Sequence, residues 1–131
     1  ALAELHERDI ICLPGFVTNS GGVFASGLYD SGVSRGDIEK IAEKGYRPVI
    51  NALLDNARKN NEPPSAVAER VAWQRYERKL RGEDCGIEER KLKWLRALER
   101  KKMIPTKYYA RQFAATFSRN LEDLCRTLQE G

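Results

Sequence analysis

Asp9-Ile10-Ile11-Cys12-Leu13-Pro14-Gly15 is the stretch whose reading decides the fold. It is a short apolar run with two β-branched residues, and it stops at Pro14-Gly15, a strong breaker pair. A run this short and continuous suits a strand buried on both faces, as in a parallel sheet. Upstream, residues 1–8 read as the last two turns of a helix. Helix then buried strand is half of a βαβ unit, so the chain reads as opening partway through such a unit and as a piece of a larger protein.

Downstream, glycine and small polar residues dominate residues 15–36. Asn19-Ser20-Gly21-Gly22-Val23-Phe24-Ala25-Ser26 would follow the strand and open a helix, with about two turns over Val23 to Tyr29. In open α/β sheets ligands sit beyond the carboxyl ends of strands. Gly21 and Gly22 remove side chains where a backbone would approach a ligand. A helix N-terminus there would present free N–H groups. Asn19 brings a donor and acceptors. Val23 and Ser26, three apart, share a helix face and could line one pocket.

Beyond this segment the pattern is helical. Ser34 and Asp37 have capping-box spacing. Ile38, Ile41, Ala42, Val49, Ile50, Leu53, Leu54 and Ala57 fall on one 3.6-residue stripe, with Tyr46 between. Pro48 lies within that stripe, removes one backbone hydrogen bond and should kink the helix near Lys44–Gly45. Asn60 to Pro64 reads as a stop, and Ser65 as the N-cap of a helix to about Arg81 with Ala68, Val71, Ala72, Arg75 or Tyr76, and Leu80 inward. Glu88 to Met103 is helical by propensity, with Leu92, Leu95 and Leu98 facing inward. Tyr109, Phe113, Phe117, Leu121, Leu124 and Leu128 give a last amphipathic stripe, whose aromatic members could also bury against a partner chain.

Composition bounds the function. The 131 residues, 41% hydrophobic, suffice for one packed domain but not for a two-domain cofactor enzyme. No window approaches the about eighteen apolar residues of a membrane span, so no membrane partner is expected. Cys12, Cys85 and Cys125 are odd in number and form no C-x-x-C, which points to reduced thiols and a cytoplasmic setting rather than disulfides or a zinc site. His6 is the only histidine, so no zinc motif or Ser–His arrangement can be assembled. Neither a Walker A loop nor G-x-G-x-x-G occurs. Residues 70–111 carry 14 basic and 6 acidic side chains. That raises nucleic acid as a partner, but Glu88, Glu89 and Glu99 interrupt Arg90, Lys91, Lys93, Arg96, Arg100, Lys101 and Lys102. The interruption favours a solvated helix face.

Arg8-Asp9-Ile10-Ile11-Cys12-Leu13-Pro14, followed by Asn19-Ser20-Gly21-Gly22-Val23, resembles the R-x-I-x-x-x-P and N-x-G-G-V motifs near the C-terminus of the glutamate/leucine/phenylalanine/valine dehydrogenase family. Ser34 to Lys59 resembles the family's next long helix, and Ser65 to Leu80 the shorter one after it. The likeness covers about residues 1–81. It implies oxidation of an L-amino acid to its 2-oxo acid with NAD or NADP, in a homo-oligomer. It places Asn19, Gly21 and Gly22 on the cofactor side, and Val23 and Ser26 around the substrate side chain. Ser26 is similar to the serine of glutamate-specific members. Gly15 departs from the family's usual Asp or Asn, and Ser20 from its usual Ala.

The resemblance also implies that the catalytic lysine and aspartate, and the glycine fingerprint, lie outside these residues. No catalytic residue is assigned here, and the segment alone would not be an enzyme. The fold expected is mainly α, with one short N-terminal strand and four to five helices, as the C-terminal part of an α/β Rossmann-type dehydrogenase. Residues 1–81 would belong to the cofactor domain and its following helices, and residues 82–131 would form a helical extension. The alternative is a basic helical module that binds nucleic acid or holds an oligomer together.

Overall fold

The computed structural model describes residues 2–8, 10–83 and 86–130. Helices α1 (Leu2–Glu7), α2 (Gly15–Thr18), α3 (Ser20–Asp30) and α4 (Arg35–Ile41) come first. A π-helical turn, Ala42–Tyr46, joins α4 to α5 (Arg47–Asn60). Then follow α6 (Pro64–Leu80), α7 (Gly86–Arg100) and α8 (Thr106–Glu130).

The expected N-terminal strand is absent: no strand occurs among the described residues. Residues 10–14 are irregular, with Ile10 and Ile11 exposed, Leu13 packed against the core and Pro14 buried. A strand needs a neighbour to take its N–H and C=O groups. Among the described residues no such neighbour exists, so β-propensity in Ile10-Ile11 finds no ladder. The fold is therefore all-helical over the described residues, and the α/β description does not hold.

Two helix boundaries follow local chemistry closely. Ser34 caps α4, its hydroxyl oxygen accepting from the Asp37 N–H at 3.2 Å and its O–H donating to Asp37 Oδ2 at 2.7 Å. Helix α3 ends on Gly32 at φ +83°, where Val33 N–H bonds to Leu28 O at 3.0 Å and Gly32 N–H to Tyr29 O at 2.8 Å. This is the left-handed helix stop that glycine favours, completed by Val33 packing against Leu28. Ser65 is not a cap: α6 starts at Pro64 in its first turn, where a missing N–H costs nothing.

In place of the expected kink before Pro48, the chain forms the π turn. Pro48 offers no N–H to Lys44, and Arg47 N–H reaches back five residues to Ala42 O. The helix restarts at Arg47, which places Pro48 in the first turn of α5.

One buried cluster joins α5, α6 and α8 through Val49, Ala52, Leu53, Ala57, Val67, Val71, Leu121 and Leu128. The stripe read from α5 holds at Val49, Leu53 and Ala57. Ala52 and Asn56 are buried beside them, because α8 lies along that side. Asn56 fastens the end of α8, its Nδ2 donating to Leu128 O at 2.7 Å. Its Oδ1 accepts from Asn60 Nδ2 at 3.0 Å and Arg70 Nη2 at 3.3 Å. A second cluster sets Leu28 and Val33 against Ala110, with Phe24, Phe113 and Phe117 around them. The Tyr109, Phe113, Phe117 stripe of α8 thus turns into this chain's own core. In α6 only the first half is buried: Val67 and Val71 pack inward, whereas Trp73, Tyr76 and Leu80 are exposed.

Gly45 is a close-approach position. A β-carbon there would stand 2.8 Å from Leu121 Cδ1. Gly45→Val is expected to cost about 1–3 kcal/mol in urea unfolding. The penalty should shrink when Leu121 is also changed to Ala; equal penalties in both backgrounds would remove Leu121 as the cause.

Asp37 is held below the usual carboxylate range, first by the Ser34 hydroxyl and then by Lys40. Glu89 is lowered chiefly by its hydrogen bond from Lys79, at 3.0 Å. A depressed carboxyl contributes stability that is complete above its unfolded pKa and is lost as pH falls through its folded value. Stability should therefore decline with acid below the ordinary carboxylate range. Lys79→Ala should flatten that decline in a pH series of unfolding midpoints; an unchanged acid limb would exclude the Glu89 contribution.

Candidate functional site

Pro14 is buried and extended, at φ −65° and ψ 144°, and launches α2. The Thr18 hydroxyl donates to Gly15 O at 3.2 Å. Asn19 does not open a turn: its backbone is helical at φ −83° and ψ −12°, and its N–H is bonded to Gly15 O at 2.9 Å. Helix α2 therefore runs almost continuously into α3. Gly21 and Gly22 lie inside the helix rather than at a strand–helix turn, and the free N-terminus expected beside them is not formed.

The inner face of α3 is held by one side chain from the π turn. Tyr46 donates its hydroxyl to Val17 O at 2.6 Å, the carbonyl to which Ser20 Oγ also donates at 2.6 Å. The Ser20 and Tyr46 hydroxyl oxygens also lie against each other, and with one proton apiece the pair can make two of these three contacts at a time. The Tyr46 ring stacks on Phe24 at 5.7 Å, and Phe24 meets Phe117 at 5.1 Å. Leu28, one turn further, is fully buried.

The outer face is what remains. Asn19, Gly22, Val23 and Ser26 are all exposed and share one helix stripe at spacings of three and four. The structure thus brings together four of the five residues singled out from sequence. Gly21 does not join them. It is half-buried and lies on the side of Phe24 and Leu28, three and seven residues on. Val23 is 78% exposed and Tyr29, at the far end of the same face, 70%. A β-carbon on Gly21 or Gly22 would meet nothing within 4 Å. Neither glycine is at positive φ. Nothing inside the chain therefore requires glycine at either place, and both carry a helix cost of roughly 0.5–1 kcal/mol relative to Ala.

The stripe holds no titratable side chain, so it can bind and orient but not exchange protons. Among the described residues no group of three His, Cys, Asp or Glu could hold a metal. Cys12 and Cys125 are free thiols. No helix is long and apolar enough to cross a membrane.

Sequence reasoning missed two tethers. Tyr46 was legible only as a residue between apolar positions, yet it anchors α2 to the π turn. Arg96 donates to Asp30 O at 3.4 Å, which ties α7 to the end of α3. Arg96 also meets Glu99 at 3.5 Å and lies 4.9 Å over the Tyr109 ring. A separate cleft between α6, α7 and α8 is crossed by charge pairs, Lys79–Glu89 and Arg119–Glu88 at 3.0 Å and Arg75–Asp123 at 3.7 Å.

No protein-family model, no curated protein and no solved structure matches this chain.

Removing the Tyr46 hydroxyl tests the anchor. Tyr46→Phe should lower unfolding stability by about 1–2 kcal/mol, with the ring stack retained. Gly22→Ala should do the reverse and raise stability by about 0.5–1 kcal/mol. A destabilised Gly22→Ala protein would show that the space around Gly22 is not open.

Proposed function

We propose that this chain supplies the nicotinamide- and substrate-facing wall of an NAD(P)-dependent amino-acid dehydrogenase, the remaining walls coming from residues outside it. The observation that carries the reading is the outer face of α3. It gathers Asn19, Gly22, Val23 and Ser26 of the N-x-G-G-V segment on one exposed stripe, around glycines that the chain's own packing does not need.

The residues fit a flat ring laid on the helix. Gly22 leaves the backbone bare, so a ring could approach closer than any side chain would allow. Asn19, just before the glycines, carries an amide that can donate to a carboxamide oxygen or accept from a hydroxyl. Val23 and Ser26 follow on the same side, one giving an apolar contact and the other a hydroxyl. A substrate whose side chain ends in a carboxylate would find a donor in Ser26. A nicotinamide held by Asn19 and Gly22 would supply the hydride acceptor. This chain's part is to hold ring and side chain in register, because hydride transfer depends on near-attack geometry. The chain holds no pyrophosphate fingerprint, so it does not account for affinity toward the dinucleotide phosphates.

Kinetics of the intact protein test this. Asn19→Ala should lower kcat/KM for amino-acid oxidation, and Ser26→Leu should shift preference from glutamate toward leucine, by about ten-fold or more. Both positions are exposed, so unfolding midpoints should stay unchanged. An unaltered glutamate-to-leucine ratio in Ser26→Leu would defeat the pocket assignment. No amino-acid oxidation by the unmodified protein with either NAD or NADP would defeat the reading as a whole.

A further inference from the structure

We propose that the groove between α7 and α8 is a docking site for an acidic amphipathic helix of a partner protein. The site is separate from the outer face of α3 and does not depend on the dehydrogenase reading. The groove encloses about 570 Å³. Its floor is apolar, formed by Leu92 and Ala97 of α7 and by Tyr109 and Phe113 of α8. Its rim is cationic, with Lys93, Arg96, Arg100 and Lys101 against the single acid Glu89.

The rim charge is available. Glu89 is already engaged by Lys79 at 3.0 Å. Arg96 is occupied by Glu99, by Asp30 O and by the Tyr109 ring. Arg100 and Lys101 are exposed and have no carboxylate partner among the described residues. Lys93 and Arg100, seven residues apart, stand two turns apart on α7, about 10 Å along the axis. Glutamates at i and i+7 of a docked helix have the same spacing.

The shape calls for a helix. Helix α7 packs chiefly on α8, and Leu95 is its one buried residue among those whose side chains are described. The pair is a hairpin closed by residues 101–105. A third amphipathic helix laid along it would cover Leu92 and Phe113 with leucines at i, i+3 or i+4, and i+7, the usual helix-in-groove arrangement. Charge around the apolar floor selects an acidic partner and rejects a basic one. Nucleic acid fits less well: Tyr109 is buried with Arg96 over its ring, so that ring offers no open face for a base to stack on.

The test uses the full chain and a fluorescein-labelled 18-residue peptide with leucines at i, i+3, i+4 and i+7 and glutamates flanking them. Anisotropy should show saturable binding that weakens with added salt. The Lys93→Glu/Arg100→Glu variant should bind at least about ten-fold more weakly. Lys91→Glu/Lys107→Glu carries the same change in net charge away from the groove and should bind as the parent does. A peptide of identical composition with its leucines spread around the helix should not bind. Four results would overturn the proposal: no saturable binding, equal loss in both charge-reversal variants, equal binding of the scrambled peptide, or tighter binding of a 20-nucleotide single-stranded DNA. Circular dichroism of each variant confirms that its helices are intact.

Discussion

The missing N–H of Pro48 is the constraint on which much of the arrangement rests. It leaves the preceding turn without a normal partner, and the chain responds with five residues of π-helix instead of a break. That wider turn carries Gly45 and Tyr46. Gly45 lets Leu121 of α8 come to the backbone, closer than a β-carbon would allow. Tyr46 reaches Val17 O and stacks on Phe24. One local defect therefore locates both the long C-terminal helix and the segment that leads into α3.

Helix α3 then divides its residues by face. Phe24 and Leu28 are held by Tyr46, Phe117 and the cluster around Ala110. The rotation this imposes turns Asn19, Gly22, Val23 and Ser26 outward. Gly32 stops the helix one residue after its C-cap, and Arg96 takes up the Asp30 carbonyl from α7. The helix is thus fixed at its start, along its inner face and at its end.

Much of this was legible along the chain because it is local. Ser34 and Asp37 act at three-residue spacing, so the cap of α4 needed no distant partner. Pro48 announces its disturbance through its own ring. The apolar stripe of α5 marks Val49, Leu53 and Ala57 from periodicity alone. Placing Val23 and Ser26 on one face required only the helical repeat, whereas Asn19 joins them because the helix begins earlier than the sequence suggests. Other readings failed, among them the helix start expected at Gly21–Gly22, and several did so where the outcome depended on something remote. Ile10-Ile11-Cys12-Leu13 has the composition of a buried strand but no strand to pair with. Ser65 lost the capping position to Pro63, two residues earlier. Tyr76 and Leu80 continue the stripe of α6 past the point where α5 and α8 cover it.

By itself the sequence determined the helical runs beyond Ser34, the cap of α4, a disturbance before Pro48, and that Val23 and Ser26 share a face. Those outcomes follow from bonds and spacings within a few residues. Tertiary structure alone decided that Ile10 to Leu13 stay outside any sheet, that Gly21 faces inward while Gly22 faces out, and that Tyr109 and Phe113 serve this chain's own core. It also decided that Arg96 is taken by groups on α3, α7 and α8, whereas Arg100 and Lys101 meet no carboxylate among the described residues. The physical reason is common to all of these. Burial, strand pairing and charge compensation depend on what arrives from far along the chain, and that is set by packing rather than by neighbouring residues.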